Sequence, residues 1–246
     1  PAARNALSLA MLDALREALR ATAAARCVVI AAEGPAFCAG HDLRELTAAR
    51  AEADGGSGVF TRTMALCAEV MQAIVRHPAP VIAAVGGVAT AAGCQLVASC
   101  DLAVASPGAK FCTPGVEIGL FCSTPAVALA RAVPRKQAME MLLTGRMVGA
   151  EEALRLGLVN GIADDARAGA LTLAAGIAAR SAVTIRLGKA GFLAQENLPL
   201  AEAYAAASQV MVENMLAADA CEGIGAFLDK RVPRWAEDAA LRKKDA

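Results

Sequence analysis

The sequence predicts an α/β protein whose sheets are largely parallel or spiral. Short apolar runs of strand length alternate with longer segments that have helical periodicity, and this alternation is typical of an α/β core. Two of the strand-like runs end in small residues directly before a helix-like segment. At 246 residues, the chain is long enough for one large domain, or a domain with an appendage, around a substantial core.

The first half of the chain shows this alternation most clearly. A helix is predicted over 7–25, where leucines recur at helical spacing and Ser8 is a candidate N-cap. The further elements predicted here are a strand at 27–31, a loop at 34–42 ended by the candidate cap Asp42, a mobile Gly-rich loop at 48–58, a helix at 59–76, a strand at 81–85 and a helix at 92–99.

The second half adds short strands and then becomes helical. The elements predicted there are strands at 101–105 and 159–163, an edge strand or turn at 110–114, a loop at 115–121, and helices at 124–132, 135–143, 150–156, 166–180, 182–195, 198–217 and 219–229. The helices from 182 onward have no strand to cover. They therefore need a partner surface, which is either this core or another subunit.

The stretch 81–101 reads V-I-A-A-V-G-G-V-A-T-A-A-G-C-Q-L-V-A-S-C-D and organises the rest of the chain. It begins as a strand, breaks at a glycine pair and resumes as small residues that start a helix. Such a turn presents free backbone N–H groups and the positive end of a helix dipole, which suit a developing negative charge. The run has the length of a membrane span, but its three glycines and Gln95 argue against one.

The amino-acid composition excludes several classes of function. A net charge of zero and an aromatic content of 3% give no case for nucleic-acid binding. The eight cysteines include no C-x-x-C pair, and only two histidines accompany them, so we expect no metal site and free thiols in a reducing compartment. We recognise no leader peptide, and the abrupt start at P-A-A-R-N-A-L-S is consistent with a missing earlier strand.

Several motifs, in this order and spacing, resemble the crotonase (enoyl-CoA hydratase/isomerase) superfamily over nearly the whole chain. The two central ones are F-C-A-G-H-D-L at 37–43 and A-T-A-A-G-C-Q-L at 89–96. The others are R-N-A-L-S at 4–8, P-V-I-A-A-V-G-G at 80–87, C-D-L-A-V-A at 100–105, L-T-G-R-M-V-G-A-E-E-A at 143–153, G-L-V-N at 157–160 and E-G-I-G-A-F-L-D-K-R at 222–231.

The resemblance implies a crotonase-type spiral of ββα units with a C-terminal helical oligomerisation region. Residues 1–181 would form the core with the acyl-CoA site, and residues 182–246 would form a homotrimer or a dimer of trimers. The ligand would be an acyl-CoA, with coenzyme A as part of the substrate and no separate cofactor. The backbone N–H groups of His41 and Ala92 would form the oxyanion hole for the thioester carbonyl. A structural role is the simpler interpretation of the His41 side chain.

The sequence departs from the family where hydratases carry two glutamates that position water and move its proton. The first position falls on Gln95, which can orient water but cannot exchange a proton, and the second falls on Gly115. The acid of family isomerases falls near Ser123. Glu117 follows Gly115 by two residues and would point the same way on an extended segment, although a solvent-facing carboxylate is the simpler interpretation.

Contacts to coenzyme A follow from the motif match. Arg4, Ala6, Ala39, Leu43 and Arg44 fall on the family's CoA-contact segments. Phe227 and Lys230 fall on the C-terminal segment that reaches a neighbouring subunit's CoA in relatives. Each cation could equally be a solvated surface charge.

Three functions remain open from the sequence. The chain is an acyl-CoA enzyme of altered chemistry (isomerisation, decarboxylation or thioester hydrolysis), a non-catalytic acyl-CoA-binding or regulatory protein, or a conventional hydratase rescued by Glu117. We expect weak or absent hydration. The expected location is cytoplasmic in a bacterium, or the mitochondrial matrix in a eukaryote.

Overall fold

Two four-stranded sheets form the frame of the protein, whose computed structural model describes residues 1–236. The strands of the first sheet, in spatial order, are β1 (Val28–Ala31), β3 (Val81–Val85), β5 (Leu102–Ala105) and β8 (Gly161–Ile162). Those of the second are β2 (Ala36–Cys38), β4 (Val88–Thr90), β6 (Lys110–Cys112) and β7 (Val148–Gly149).

The two sheets grow together as the chain advances. The strands β1, β3 and β5 join the first sheet. The strand that follows each of them along the chain (β2, β4 and β6) joins the second sheet. The first sheet is parallel throughout, and in the second only the β6–β7 pair is antiparallel. Parallel neighbours need long crossovers, and the helices between the pairs supply them. The predicted spiral α/β architecture is therefore confirmed.

The helices also follow the predicted pattern closely. Their bounds are α1 (Leu9–Ala21), α2 (Leu43–Ala49), α3 (Ser57–Val75), α4 (Ala92–Ser99), α5 (Ser123–Ala132), α6 (Arg135–Thr144), α7 (Ala150–Leu156), α8 (Ala166–Ala178), α9 (Ala182–Gln195), α10 (Leu200–Leu216) and α11 (Ala218–Leu228). The caps predicted at Ser8 and Asp42 are present, and each side chain accepts a hydrogen bond from a backbone N–H in the first turn.

Three local predictions were wrong. The strands β2 and β4 were not predicted, because three residues are too few to show a period of two. The segment 48–58, expected to be one loop, includes the end of α2 and the first turn of α3. The segment 115–121, also expected to be a loop, begins inside the 3-10 helix Pro114–Ile118.

The apolar stretch 81–101 is a strand, a second strand and an eight-residue helix, so it is not one continuous span. The helix α3 is long and apolar enough, by length and composition, to cross a membrane. Its buried residues recur at helical spacing along one stripe, and Arg16 of α1 forms an ion pair with Glu69 on it. This pattern is typical of a helix that packs one face on a core.

The contacts divide the chain into two units. The first comprises residues 1–23, 28–77 and 81–174, and the second comprises residues 24–27, 78–80 and 175–246. In the second unit α9 packs on α10, where the Thr184 hydroxyl accepts a hydrogen bond from Asn214. The functional assignment of residues 1–181 and 182–246 stays a prediction, and positions 237–246 lie outside the described residues.

Glycine allows the chain after β3 to lie against the chain before β2. A Cβ atom on Gly87 would lie 2.5 Å from the Pro35 carbonyl oxygen and 3.0 Å from its carbon, whereas a Cβ on the adjacent Gly86 would meet nothing within 4 Å. Only the second of these neighbouring glycines is therefore required by packing.

We predict that Gly87→Ala lowers the free energy of unfolding by about 1–3 kcal/mol, the usual cost of forcing an extra methyl group into a packed site. Gly86→Ala is the matched control and should change it by no more than about 0.5 kcal/mol. Urea denaturation of both variants measures the difference. Equal unfolding midpoints for the two variants would contradict this account of the turn.

Candidate active site

The N-terminal segment holds the loop after β2 in place. The Leu7 N–H donates to the Gly40 carbonyl at 2.7 Å, and the Leu7 carbonyl accepts from the Asp42 N–H at 3.4 Å. The Ala39 N–H donates to the Arg4 carbonyl at 3.1 Å. Because Leu7 binds the residues on either side of His41, the backbone N–H of His41 is directed away from this contact.

The same loop lies against the start of α4. A Cβ atom on Gly40 would lie 3.0 Å from the Ala91 Cβ and 3.5 Å from the Ala92 nitrogen. A Cβ atom on Gly93 would overlap the Cys38 carbonyl oxygen. Gly40 has a φ of +84° and Ala91 a φ of 51°, so both turns use left-handed backbone. The two segments 37–43 and 89–96, singled out by sequence, are therefore in contact.

Two backbone donors remain available at this contact. Within residues 1–236, neither the His41 N–H nor the Ala92 N–H has a protein acceptor. Ala92 is the first residue of α4, and the helical ladder starts only where the Gln95 N–H donates to the Ala91 carbonyl at 3.0 Å. Free N–H groups at a helix start suit an anion.

Several buried polar side chains in the described part of the chain have no hydrogen-bond partner. The Gln95 side chain is 4% exposed, and its Oε1 is buried with no hydrogen-bond partner in the described part of the chain. The same holds for the Thr63 hydroxyl and for both ring nitrogens of His41. A buried polar group without a partner is costly, so such groups mark a place for a ligand or water.

Burial lowers the pKa of the His41 imidazole below its ordinary value. The Leu7 carbonyl, which lies nearby without a formed hydrogen bond to the ring, and the Glu45 carboxylate offset part of that effect. The ring is therefore neutral at neutral pH. Glu45 is already engaged, since its Oε2 accepts from the Leu9 N–H at 3.0 Å.

Gly115, the residue predicted to stand at the second glutamate position, has no room for a side chain. Gly115 is buried, and a Cβ atom there would lie 2.7 Å from the Leu120 carbonyl oxygen and 2.8 Å from the Cys122 Sγ. The Leu120 N–H donates to the Gly115 carbonyl at 2.9 Å and holds the loop closed. Gly115 is therefore part of the packing, besides lacking an acid.

Glu117 does not lie on an extended segment as expected. It belongs to the 3-10 helix Pro114–Ile118, in which residues two apart point in different directions. Its side chain is exposed, and its Oε1 lies within 3.5 Å of the position of a Cβ on Gly145. The premise that Glu117 points the same way as residue 115 was therefore wrong.

The predicted CoA contacts fall into two groups. Arg4, Ala6, Ala39, Leu43 and Arg44 gather around the bonded pair of segments 4–7 and 39–44 in the first unit. Leu43 is 52% exposed, and both arginines are exposed without an ion pair among residues 1–236. Phe227 and Lys230 lie in the second unit, where both are exposed.

All eight cysteines are free thiols. Burial raises the pKa of Cys38 to about 11 and that of Cys67 to about 12, and it raises the pKa values of Cys94, Cys112 and Cys122 as well. Over residues 1–236, no group of three His, Cys, Asp or Glu side chains could hold a metal ion.

Comparison with known proteins identifies the family. The family model described as enoyl-CoA hydratase/isomerase matches residues 1–238. The chain belongs to the enoyl-CoA hydratase/isomerase family. Its architecture is the crotonase fold shared by the similar solved structures of this family.

Relatives within the family are similar over nearly the whole chain. Mitochondrial enoyl-CoA hydratase domain-containing protein 3 of Rattus norvegicus is 51% identical over 96% of this chain and 78% of its own length. The crystal structure of the human protein of that name superposes with a TM-score of 0.90 at 48% identity, covering 96% of this chain and 93% of that one. A crystal structure of enoyl-CoA hydratase from Mycobacterium smegmatis gives 0.89 at 49% identity, covering 96% and 91%.

Three motifs of this chain predict a resemblance to enoyl-CoA hydratase domain-containing protein 3. These are G-H-D-L-R-E-L at 40–46, the run from Ala89 to Asp101, and T-P-G-V-E-I-G-L-F-C-S-T-P at 113–125. The predicted resemblance to that protein is confirmed by the comparisons.

Two features of the site were not found from the sequence. The Thr63 hydroxyl sits inside an apolar helix stripe, where a threonine gives no signal of its own. Cys122 lies against Gly115 because of the way residues 116–121 fold, and no periodicity in the sequence predicts that fold.

We predict that acid weakens the fold through His41. The unfolded imidazole has a pKa of about 6.5 and the folded one a lower value, so the unfolded chain binds its proton first as the pH falls. The free energy of unfolding should then decrease below about pH 6.5, by at most about 1.4 kcal/mol per pH unit.

Urea denaturation at about pH 7.5 and about pH 5.5 measures this loss. His41→Gln is the control, because it keeps every carboxylate and the other histidine and removes only this imidazole. An equal loss of stability in the variant and the parent would contradict the prediction.

We also predict that Gly115→Glu does not create a working acid. The new side chain must displace the Leu120 carbonyl or the Cys122 thiol, so the free energy of unfolding should decrease by at least about 1–3 kcal/mol. Gly108→Glu, at an exposed glycine with nothing within 4 Å of its Cβ position, is the control. A Gly115→Glu protein that melts at the parent temperature would refute the packing argument.

Proposed function

We propose that this protein binds an acyl-CoA thioester and polarises its carbonyl group with the backbone N–H groups of His41 and Ala92. The observation that carries the proposal is the contact between Gly40 and the start of α4, where both donors lack a protein acceptor. A thioester enolate places its charge on one oxygen, and each fixed donor of such a pair is typically worth about 10²–10³ in rate.

The buried carboxamide of Gln95 supports a reacting group at the same place. Its Oε1 needs a donor, and a water or a substrate hydroxyl would supply one. It cannot take up a proton as a glutamate does. Together with the filled space at Gly115, this favours chemistry that needs an oxyanion hole and few acid or base groups: isomerisation, decarboxylation or thioester hydrolysis.

Coenzyme A would lie along the bonded segments 4–7 and 39–44. Arg4 and Arg44 would face its phosphates, and Ala6, Ala39 and Leu43 would leave room for its adenine and pantetheine groups. The exposure of both guanidinium groups supports this role, because neither has an ion-pair partner among residues 1–236.

A homotrimer, or a dimer of trimers, would form through the helices after residue 182. The 17-residue helix α10 has no buried residue, and it exposes Leu200, Tyr204, Met211 and Met215. So large an apolar surface is unusual for a monomer. Phe227 and Lys230 would then contact a neighbouring subunit's CoA. The expected location is the mitochondrial matrix in a eukaryote, as the names of several relatives indicate for those proteins, or the cytoplasm in a bacterium.

Two other functions remain candidates. A non-catalytic acyl-CoA-binding or regulatory protein would keep the donors and need neither glutamate. A hydratase that uses Glu117 would need that exposed side chain to turn into the site, and its place in a 3-10 helix makes it the weaker candidate.

We expect butyryl-CoA to bind more tightly than free coenzyme A, and its thioester C=O stretch to move to lower frequency in the complex. Calorimetry measures the first and isotope-edited infrared spectroscopy the second. Ala92→Pro removes one donor and should reduce the frequency shift. Binding without any shift of the carbonyl band would contradict the oxyanion hole.

Hydration should be poor. With crotonyl-CoA, we expect rates about 10²–10⁴-fold below those of relatives that have two glutamates, the usual contribution of general acid–base groups. Ordinary rates that are lost in Gln95→Ala would overturn this. Ordinary rates that are lost in Glu117→Gln would favour the rescued hydratase. Identification of products from a panel of CoA esters separates an enzyme of altered chemistry from a binding protein.

A further inference from the structure

The sulfur of Cys122 fills the space of the missing second acid. It lies 2.8 Å from where the first side-chain atom of residue 115 would stand. The loop that brings the sulfur there is closed by the hydrogen bond from the Leu120 N–H to the Gly115 carbonyl. Cys122 is 8% exposed as a whole residue, so it is buried.

Cys122 begins a helix that packs against the helix of the Ala92 donor. The chain before Gly115 runs beside the start of α4, because β6 pairs with β4 and the Ala91 N–H donates to the Cys112 carbonyl at 2.9 Å. The helix α5, for which Cys122 is the N-cap, packs on α4. The Cys94 thiol of α4 is close enough to interact with those of Cys112 and Cys122.

A second observation, made on α4, points to a ligand or water at this site. Gln95, directly after Cys94, is 4% exposed and keeps a buried oxygen with no partner within residues 1–236. The neutral amide of Gln95 cannot transfer a proton. The proposed site, with the Gln95 oxygen and two backbone donors, therefore needs another group for proton transfer. Cys122 is the titratable group whose atom occupies the space of a side chain at position 115.

We propose that the Cys122 thiol is a catalytic residue of this site and exchanges a proton with the α-carbon of the bound acyl-CoA thioester. The proposal rests on the acyl-CoA site proposed above. As the S–H bond breaks, the electron pair of the enolate forms the new C–H bond and the thioester carbonyl is restored. The sulfur is left as a thiolate, which recovers its proton from water. In reverse, the thiolate removes an α-proton and the oxyanion hole holds the enolate.

The chemistry of the Cys122 thiol fits proton transfer better than it fits nucleophilic attack. Burial raises its pKa, with only part offset by the Gly115 N–H, so the group is a neutral thiol at rest. A neutral thiol is a proton donor, whereas attack on a carbonyl needs a thiolate with a base beside it. The substrate class is therefore a CoA thioester with a hydrogen on its α-carbon, which reacts by proton transfer and forms no acyl-enzyme.

The first test measures alkylation of each cysteine by iodoacetamide, at about pH 9 to favour thiolates, followed by peptide mass spectrometry. Cys122 should be labelled slowly in the free protein, and saturating butyryl-CoA should reduce that labelling at least about tenfold. Exposed Cys221 is the internal control and should be labelled equally with and without the ester. Labelling of Cys122 that is absent without ligand, or unchanged by bound ester, would overturn the proposal.

The second test measures incorporation of solvent deuterium at the α-carbon of butyryl-CoA by NMR. Cys122→Ala should reduce the exchange rate by about 10²-fold, the lower end for a general acid–base group, and change the Kd by no more than about twofold. Cys221→Ala should exchange at the parent rate. Exchange that persists in Cys122→Ala, or that is absent in the parent although the ester binds, would refute the role of this thiol.

The two proposals fail in different ways. If butyryl-CoA does not bind at all, the acyl-CoA function itself is wrong. If it binds with a shifted carbonyl band but neither protects Cys122 nor exchanges its α-hydrogen, the oxyanion hole stands and only the thiol loses its role.

Discussion

The close approach of two backbone segments underlies everything else in this site. The chain at Cys38–Gly40 lies so near the start of α4 that a methyl group would overlap it at Gly93 and crowd it at Gly40. This contact brings two sheet-to-helix turns together and directs two N–H groups away from any protein acceptor. Small residues at this contact are what the proposed oxyanion hole requires, because its functional atoms would belong to the backbone. Larger side chains would separate the donors before they reached a ligand.

The same packing explains why the departures from the family pattern belong together. The two positions predicted to match the family's acids differ from glutamate in different ways: Gln95 has the size of a glutamate but no proton to exchange, and Gly115 has no side chain. The loop after Gly115 has then closed over the space, bringing in the Leu120 carbonyl and the Cys122 sulfur. One position retains polarity without acidity, and the other has become part of the core, so a single substitution at either place cannot restore the pair.

Most elements could be predicted because their apolar periods are long enough to read. The helices at 92–99, 150–156 and 182–195 have the predicted bounds, and so does the strand at 81–85. The strands β2 and β4 could not be found, since three residues show no period. Only the extended segment assumed around Glu117 was wrong, because a 3-10 helix and an extended loop have the same composition; its exposed side chain agrees with the simpler interpretation of a solvent-facing carboxylate. The pairing of segments 37–43 and 89–96 was predictable because small residues recur at both, whereas the position of Cys122 depends on tertiary folding.

The hydrogen bonds of Leu7 have a consequence for how the protein folds. The turn at 39–42 is held by residues 4–7, and the turn at Ala91 is held by Cys112, so segments far apart in sequence must meet before the proposed donors are in place. Contacts of such long range form slowly, and parallel strand pairs add to the delay. On the ribosome, the site cannot assemble until well over a hundred residues have emerged. A complete site therefore indicates that the whole spiral has folded. A ligand that binds there would stabilise the chains whose spiral is fully folded.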